Sequence, residues 1–138
     1  MGTTTALTAQ NIIFLRLVQT GVKAAVNLTG AIYELNRPKD SLKEDIVVGT
    51  LAMNAEQVQE GVFNVNIHVP NLSLTNDSTQ PNTARFRVIL DKCMEVLKEV
   101  TGFDHSFDVS TPGIPYRDGN NWFVNIRVEW ISLRRKEN

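Results

Sequence analysis

The stretch VFNVNIHV, residues 62–69, alternates apolar and polar side chains almost without interruption. Successive side chains of a strand point to opposite faces, so this pattern predicts a strand with one buried face. The other face would present two amides and one imidazole, whereas a face exposed only to water usually carries Lys, Glu or Thr. This composition indicates that the second face meets a partner. The buried set is Phe63, Val65, Ile67 and Val69, and the polar set is Asn64, Asn66 and His68.

The segment WFVNIRVEWISL, residues 122–133, shows the same two-sided pattern over a greater length. One side is apolar from Trp122 to Trp130, and the other mixes polar and apolar side chains. Helices on the apolar side would bury it, at about 1.5–3 kcal/mol for each large side chain. The opposite side of the sheet then becomes a candidate protein interface. Its predicted members are Asn64, Asn66, His68, Asn125, Arg127 and Glu129, with Phe123 and Ile131 among them.

Two segments have the three- and four-residue periodicity of amphipathic helices. The first covers residues 8–26, with Thr8 as its N-cap and one glycine in its interior. The second begins at Asn82 or Thr83 and ends before Gly102, which we expect at the left-handed C′ position. Both helices are predicted to lie on the same face of the sheet.

The remaining segments complete an α+β domain. Because helices and strands do not alternate strictly, we expect a mostly antiparallel sheet of four to five strands, in the order α-β-β-β-α-β-β. Residues 54–61 form a polar connection in this scheme, and the chain reverses at Asp118-Gly119. The further strands are predicted at 31–36, 44–53 and 105–110, and the second of them has a bulge at Gly49. A turn-rich link at 111–121 follows the last of these strands.

Length, charge and cysteine content limit the class of protein. The 138 residues suit a single domain, 1–138. We expect flexible ends at about 1–7 and 134–138. The long polar loop at 70–82 is predicted to be either functional or disordered. A net charge of −1 argues against a protein that works by neutralising nucleic-acid phosphates. One cysteine excludes an internal disulfide, and neither a secretory signal nor a membrane-spanning run is visible, so we expect a cytoplasmic protein.

Candidate catalytic and metal-binding residues are few. Asp104, His105 and Asp108 could form a metal site, but adjacent strand residues point apart, and such sites usually need further ligands. Cys93 lies in the apolar stripe of the second helix and is interpreted as a small hydrophobe rather than a nucleophile. The acidic pair at 44–45 is interpreted as a solvated turn rather than part of a nuclease site. We therefore expect no catalytic residue, no metal and no cofactor.

Charged residues alternate in sign along the second helix. This pattern is typical of a solvated helix face rather than of a surface that binds nucleic acid. We therefore expect no sequence-specific contact with nucleic acid from this element. The basic members of the predicted solvated face are Arg85, Arg87, Lys92 and Lys98.

The order of the elements carries a resemblance to a known family. An amphipathic helix leads into GAIYELNRPKDSLKED (30–45), which continues as the strand IVVGTLAM (46–53). QEGVFNVNIHVPNL (59–72) then enters a long polar loop, a second helix and two closing strands. This layout resembles the small tail-completion proteins of tailed bacteriophages, the tail-terminator or head–tail joining group, over nearly the whole chain.

The resemblance implies a non-enzymatic structural protein of a phage or prophage tail. Proteins of this group form homo-oligomeric rings, often hexameric, that cap the tail tube and join it to the head connector. The implied partners are copies of itself, the tail tube protein and a connector or neck protein, without a membrane, in a virion tail assembled in the host cytoplasm. A ring needs a head-to-tail interface whose rotation closes, and the semi-polar sheet face suits one. Two alternatives remain, a different neck or head-closure component and a small metal-dependent enzyme using Asp104, His105 and Asp108.

Overall fold

A computed structural model of the chain describes residues 3–133, so the flexible ends predicted at 1–2 and 134–138 lie outside the described residues. Within that range no helix is long and apolar enough to cross a membrane. The helices are α1 (Ala6–Gln19), α2 (Val22–Val26) and α3 (Thr83–Leu97), and the strands are β1 (Ile32–Glu34), β2 (Asp45–Met53), β3 (Val58–His68), β4 (Val100–Thr101), β5 (His105–Asp118) and β6 (Asn121–Leu133).

The described strands form one sheet in the order β1-β2-β3-β6-β5-β4. The pair β1–β2 is parallel and the other four pairs are antiparallel, so the α+β class and the mostly antiparallel sheet are confirmed. The predicted element count was wrong. Residues 3–133 form six strands and three helices in the order α-α-β-β-β-α-β-β-β, rather than four to five strands and two helices.

The first predicted helix is interrupted. Gly21 has a φ of 75°, in the left-handed region that glycine adopts at no steric cost, so α1 ends before it and α2 begins after it. The N-cap is Thr5 rather than Thr8, because the Thr5 hydroxyl accepts the backbone N–H of Thr8 at 3.2 Å. Residues 6–7, predicted as part of a flexible end, are therefore helical.

Two strands are longer than predicted. β3 begins at Val58, inside the predicted connection 54–61, and β5 continues through most of the predicted link 111–121. Irregularities in the β5 register, after Val109 and after Pro112, keep a Pro- and Gly-rich segment paired with β6. The bulge in β2 falls between Thr50 and Ala52 rather than at Gly49.

Local sequence correctly predicted where α3 begins but not where it ends. Asn82 is the N-cap, as predicted, and its side-chain oxygen accepts the N–H of Arg85 at 3.2 Å. At the other end, Glu99 with a φ of 50° occupies the left-handed position that was predicted for Gly102. The N–H of Glu99 donates to Asp108 Oδ1 at 2.9 Å, which helps to hold a non-glycine residue in this conformation.

The hydrophobic core lies between the helices and one face of the sheet, as predicted. Phe63 is fully buried and contacts Trp130 edge to face, with the ring centroids 6.3 Å apart. Cys93 is also fully buried, and burial raises the pKa of its thiol to about 12, which confirms the interpretation as a small hydrophobe. The sheet contributes Ile46, Val48, Phe63, Val65, Ile67, Phe107, Val124, Ile126, Val128 and Trp130 to this core.

Candidate functional site

The side of the sheet away from the helices holds the residues predicted as an interface. We call this side the outward face and define it by five cross-strand rows that run from β3 through β6 to β5. All eight predicted residues lie on it, so the structure brings them together on one surface. The rows are His68–Phe123–Tyr116, Asn66–Asn125–Ile114, Asn64–Arg127–Thr111, Val62–Glu129–Asp108 and Glu60–Ile131–Ser106.

Three asparagines form a hydrogen-bonded set at the centre of the outward face. The Asn125 side-chain amide donates to Oδ1 of Asn66 at 2.8 Å and to Oδ1 of Asn64 at 3.0 Å. Asn125 is only 6% exposed, and neither its Oδ1 atom nor the Nε atom of Arg127 has a hydrogen-bond partner within residues 3–133. A buried polar atom without a partner is unfavourable by about 1–3 kcal/mol. Both atoms are enclosed by their neighbours, so a second molecule could reach them only if adjacent side chains moved.

Aromatic rings cover the end of the outward face at which β3 terminates. The His68 ring lies 5.6 Å from the Phe123 ring, and the Phe123 ring lies 5.5 Å from that of Tyr116. Burial, together with the charge of Arg37, lowers the pKa of His68 to about 4. His68 is therefore neutral at neutral pH and presents a ring rather than a charge.

Acidification is expected to destabilise the protein through His68. The unfolded chain binds this proton near pH 6.5, whereas the folded chain binds it only near pH 4, so stability present above pH 6.5 is lost as the pH falls through this window. At about 1.4 kcal/mol for each tenfold change in proton affinity the full difference is about 3 kcal/mol. Solvent screening at this half-buried ring reduces the expected loss to about 1–2 kcal/mol.

Urea unfolding at pH 7 and pH 5.5 measures most of this loss, because unfolded His68 is largely protonated at pH 5.5 while most carboxylates remain ionised. The variant His68→Gln keeps an uncharged polar side chain and should remove most of the pH dependence in that interval. An identical pH dependence in wild type and His68→Gln would contradict the assignment.

The two ends of the outward face differ in charge. Where β3 begins, acidic residues line a cleft of about 360 Å³. Where β3 ends, a cleft of about 510 Å³ is lined mostly by uncharged side chains, together with His68, Lys43 and an Arg37 that is paired with the buried Asp45. The outward face therefore has one acidic end and one largely uncharged end, which gives each copy two different surfaces. The acidic set is Glu60, Glu99, Asp108 and Glu129.

The loop 70–82, predicted as either functional or disordered, is a hydrogen-bonded turn attached to the sheet. Leu74 and Asp77 exchange two backbone hydrogen bonds of 3.1 and 3.2 Å. The indole N–H of Trp122 donates to the carbonyl of Thr79 at 3.2 Å, which joins the loop to β6. The loop thus lies beside the His68 end of the outward face, where it borders the larger cleft.

The acidic pair at 44–45 is buried, which corrects its interpretation as a solvated turn. Glu44 is 8% exposed and receives two hydrogen bonds from Arg85, from Nε at 2.6 Å and from Nη2 at 2.8 Å. This bidentate pair lowers the pKa of Glu44 and raises the pKa of Arg85. Arg85 also donates to the carbonyls of Val26 and Asn27, so it is not part of a solvated helix face.

Asp45 is completely buried and accepts hydrogen bonds on both oxygens. Oδ2 accepts from Ser41 at 2.6 Å and from Arg37 at 3.2 Å, and Oδ1 accepts the N–H of Ala31 at 3.2 Å. These contacts hold the segment between β1 and β2 beside the cleft that contains His68. Sequence analysis missed both carboxylates because a pair of acidic residues before a strand has no local signal for burial.

The three residues of the metal-site alternative do not converge. His105 Nδ1 lies 3.0 Å from Asp104 Oδ1, although the two were expected to point apart, because Asp104 precedes β5 and is not in the strand. The His105 ring stacks on Trp130 at 4.6 Å, on the core side, while Asp108 lies on the outward face. Within residues 3–133 no group of three His, Cys, Asp or Glu side chains could hold a metal ion.

Comparison with known proteins gives a fold and no family. No protein-family model and no curated protein matches the sequence. Several solved structures are similar to this chain, and one of them has a TM-score of 0.56 at 14% sequence identity, covering 92% of this chain and 95% of that one. At this identity the likeness shows the fold alone.

Proposed function

We propose that this chain is a non-enzymatic structural protein of a phage or prophage tail. In this proposal, copies assemble into a ring in the virion tail that caps the tail tube and joins it to the head connector. The outward face supports the proposal, because a hydrogen-bonded asparagine set lies there beside aromatic rings and half-exposed apolar side chains. Mixed polar and aromatic surfaces of this kind are typical of protein interfaces.

Apolar side chains on the outward face provide anchors beside these polar groups. Ile131 is 46% exposed, Tyr116 is 45% exposed and Ile114 is 41% exposed. Large side chains surrounded by polar groups often contribute most of the free energy of association. The outward face therefore combines apolar contact area with directional hydrogen-bonding groups.

The concentration of acidic residues at one end favours a head-to-tail ring over a two-fold dimer. A two-fold interface uses the same patch on both copies, whereas a ring joins two different patches and closes when the rotation allows. Two copies that met through the acidic end would place like charges opposite each other, which disfavours that arrangement. The loop 70–82 lies at the other end, beside His68, and we assign it to contact with the tube or the connector.

Solution mass is the first test of this function. Native mass spectrometry and light scattering should detect a ring-sized oligomer, often six copies in the family that the sequence resembles, either alone or after mixing with tail tube protein. A chain that stays monomeric and ignores tube and connector proteins would refute the proposal. Particles that lack the protein separate two related roles, since overlong tails indicate a terminator and full heads without tails indicate head closure.

Replacing Ile131 with lysine is expected to abolish the ring without unfolding the chain. Ile131 is half-exposed on the outward face, so the free monomer tolerates lysine, whereas an interface would have to desolvate the added charge. Val88→Lys is the matched control, because Val88 is 51% exposed on α3, away from the outward face. Light scattering should show monomers for Ile131→Lys and the wild-type mass for Val88→Lys. Wild-type mass for both variants would exclude this face from the interface.

A further inference from the structure

We infer that neighbouring copies join through the turn between β4 and β5, where Phe103 of one copy inserts into a groove beneath α3 of the next. The groove is lined by α3, β5 and β6. The inference rests on the proposed ring and specifies one of its copy-to-copy contacts.

The turn presents a large apolar side chain on a fixed support. Phe103 is 92% exposed, although burying such a ring would contribute about 1.5–3 kcal/mol. The ends of the turn are held together, because the N–H of Gly102 donates to the carbonyl of His105 at 2.7 Å and the His105 ring stacks on Trp130. A fixed turn loses little conformational entropy when it docks, which favours association.

The groove has the size and the lining to receive a phenyl ring. Its volume is about 330 Å³, and an apolar cavity of roughly 150 Å³ is enough to bind benzene. Leu90 packs closely against Gly113 of β5, and this contact forms part of the wall of the groove. The packing is so close that a Cβ added to Gly113 would lie 2.7 Å from the Leu90 methyl carbons. The apolar lining comes chiefly from Phe86, Leu90, Pro115, Trp122 and Val124.

Charges around the turn and the groove are complementary. Asp104 follows Phe103 in the turn, and its side chain is 54% exposed. Arg87 is an exposed residue of α3 that lines the groove. Docking would bring the Asp104 carboxylate of one copy towards the Arg87 guanidinium of the next, and would place Phe103 within reach of the same cation.

The turn and the groove lie at opposite ends of the β5–β6 ladder. Phe103 lies two residues before the start of β5, whereas Pro115 of the groove lies near the end of that strand, roughly 30 Å away at the usual rise of a strand. The turn therefore cannot fill the groove of its own chain. Two different surfaces on one copy make a head-to-tail contact, which is the kind that closes rings.

Two variants separate the halves of this contact. Phe103→Ser removes the inserted ring, and Thr83→Trp places a bulky side chain at an exposed position that lines the groove. Each variant alone should be monomeric by native mass spectrometry. Their equimolar mixture should form a 1:1 heterodimer and no larger species, because one variant retains the groove and the other retains Phe103.

Leu7→Ser is the matched control, since Leu7 is 61% exposed on α1 and lines neither the turn, the groove nor either cleft of the outward face, and it should keep the wild-type mass. A wild-type mass for Phe103→Ser, or a mixture without heterodimer, would overturn the inference. If Phe103→Ser still forms the ring and Ile131→Lys does not, the contact through Phe103 is overturned and the proposed function stands. A wild-type chain that forms no ring with or without tube protein would instead refute the proposed function.

Discussion

Replacing Gly30 with alanine is expected to lower the free energy of unfolding by about 3 kcal/mol or more. A Cβ at this position would overlap Asp45 Oδ1 and the carbonyl oxygen of Glu44. The backbone cannot move away freely, because the N–H of Gly30 donates to that same carbonyl at 2.9 Å. Overpacking alone costs about 1–3 kcal/mol, and displacing the buried Asp45 carboxylate from its donors adds to the loss.

Urea unfolding followed by circular dichroism measures this effect. Gly49→Ala in the neighbouring strand is the matched control, because a Cβ there has no atom within 4 Å. Its change should stay within about 1 kcal/mol of zero. Equal stability of the two variants would show that the chain around Gly30 can relax and that the close approach is not required.

Replacing Arg85 with alanine is expected to lower the free energy of unfolding by about 2–3 kcal/mol. Removing one partner of a buried ion pair leaves the other charge unpaired, which typically costs 3–5 kcal/mol, and the partial exposure of the Arg85 side chain, 25%, reduces that figure. The carbonyls of Val26 and Asn27 also lose their donor. The last turn of α2 should therefore loosen together with the start of α3.

Arg87→Ala is the matched control for charge and helix propensity, because Arg87 lies two residues after Arg85 in α3 and its side chain is exposed. Its effect should be below about 0.5 kcal/mol. A double-mutant cycle with Glu44→Gln and Arg85→Met isolates the pair, and the two changes should be strongly non-additive. Additive effects would show that Arg85 stabilises the fold through its backbone contacts rather than through Glu44.

The candidate interface was predictable because it depends on strand periodicity. Side chains alternate with a period of two, so burial of Phe63, Val65 and Ile67 places Asn64 and Asn66 on the other face. The same rule placed Asn125 and Arg127 beside them once β3 and β6 paired. What periodicity could not show is the hydrogen bonding between the asparagines, which depends on the register of the two strands.

The buried carboxylates and the extended β5 were not predictable from local sequence. Glu44 and Arg85 lie 41 residues apart, and their pairing exists only when α3 packs beside the β1–β2 connection. In β5, prolines and glycine that usually mark a turn are tolerated because irregularities in the register keep the strand paired with β6. In both cases tertiary contacts override the local preference of the residues.

The sequence by itself determined the class of fold, the core face of the central strands and the eight members of the outward face that lie on β3 and β6. These properties follow from the alternation of side chains along strands and helices, which needs no knowledge of distant residues. Only the tertiary structure decided the strand order, the ion pair of Glu44 with Arg85, and the separation of the Phe103 turn from the α3 groove. Those properties depend on which segments meet in space, because hydrogen bonds, ion pairs and cavities form between residues that the sequence holds far apart.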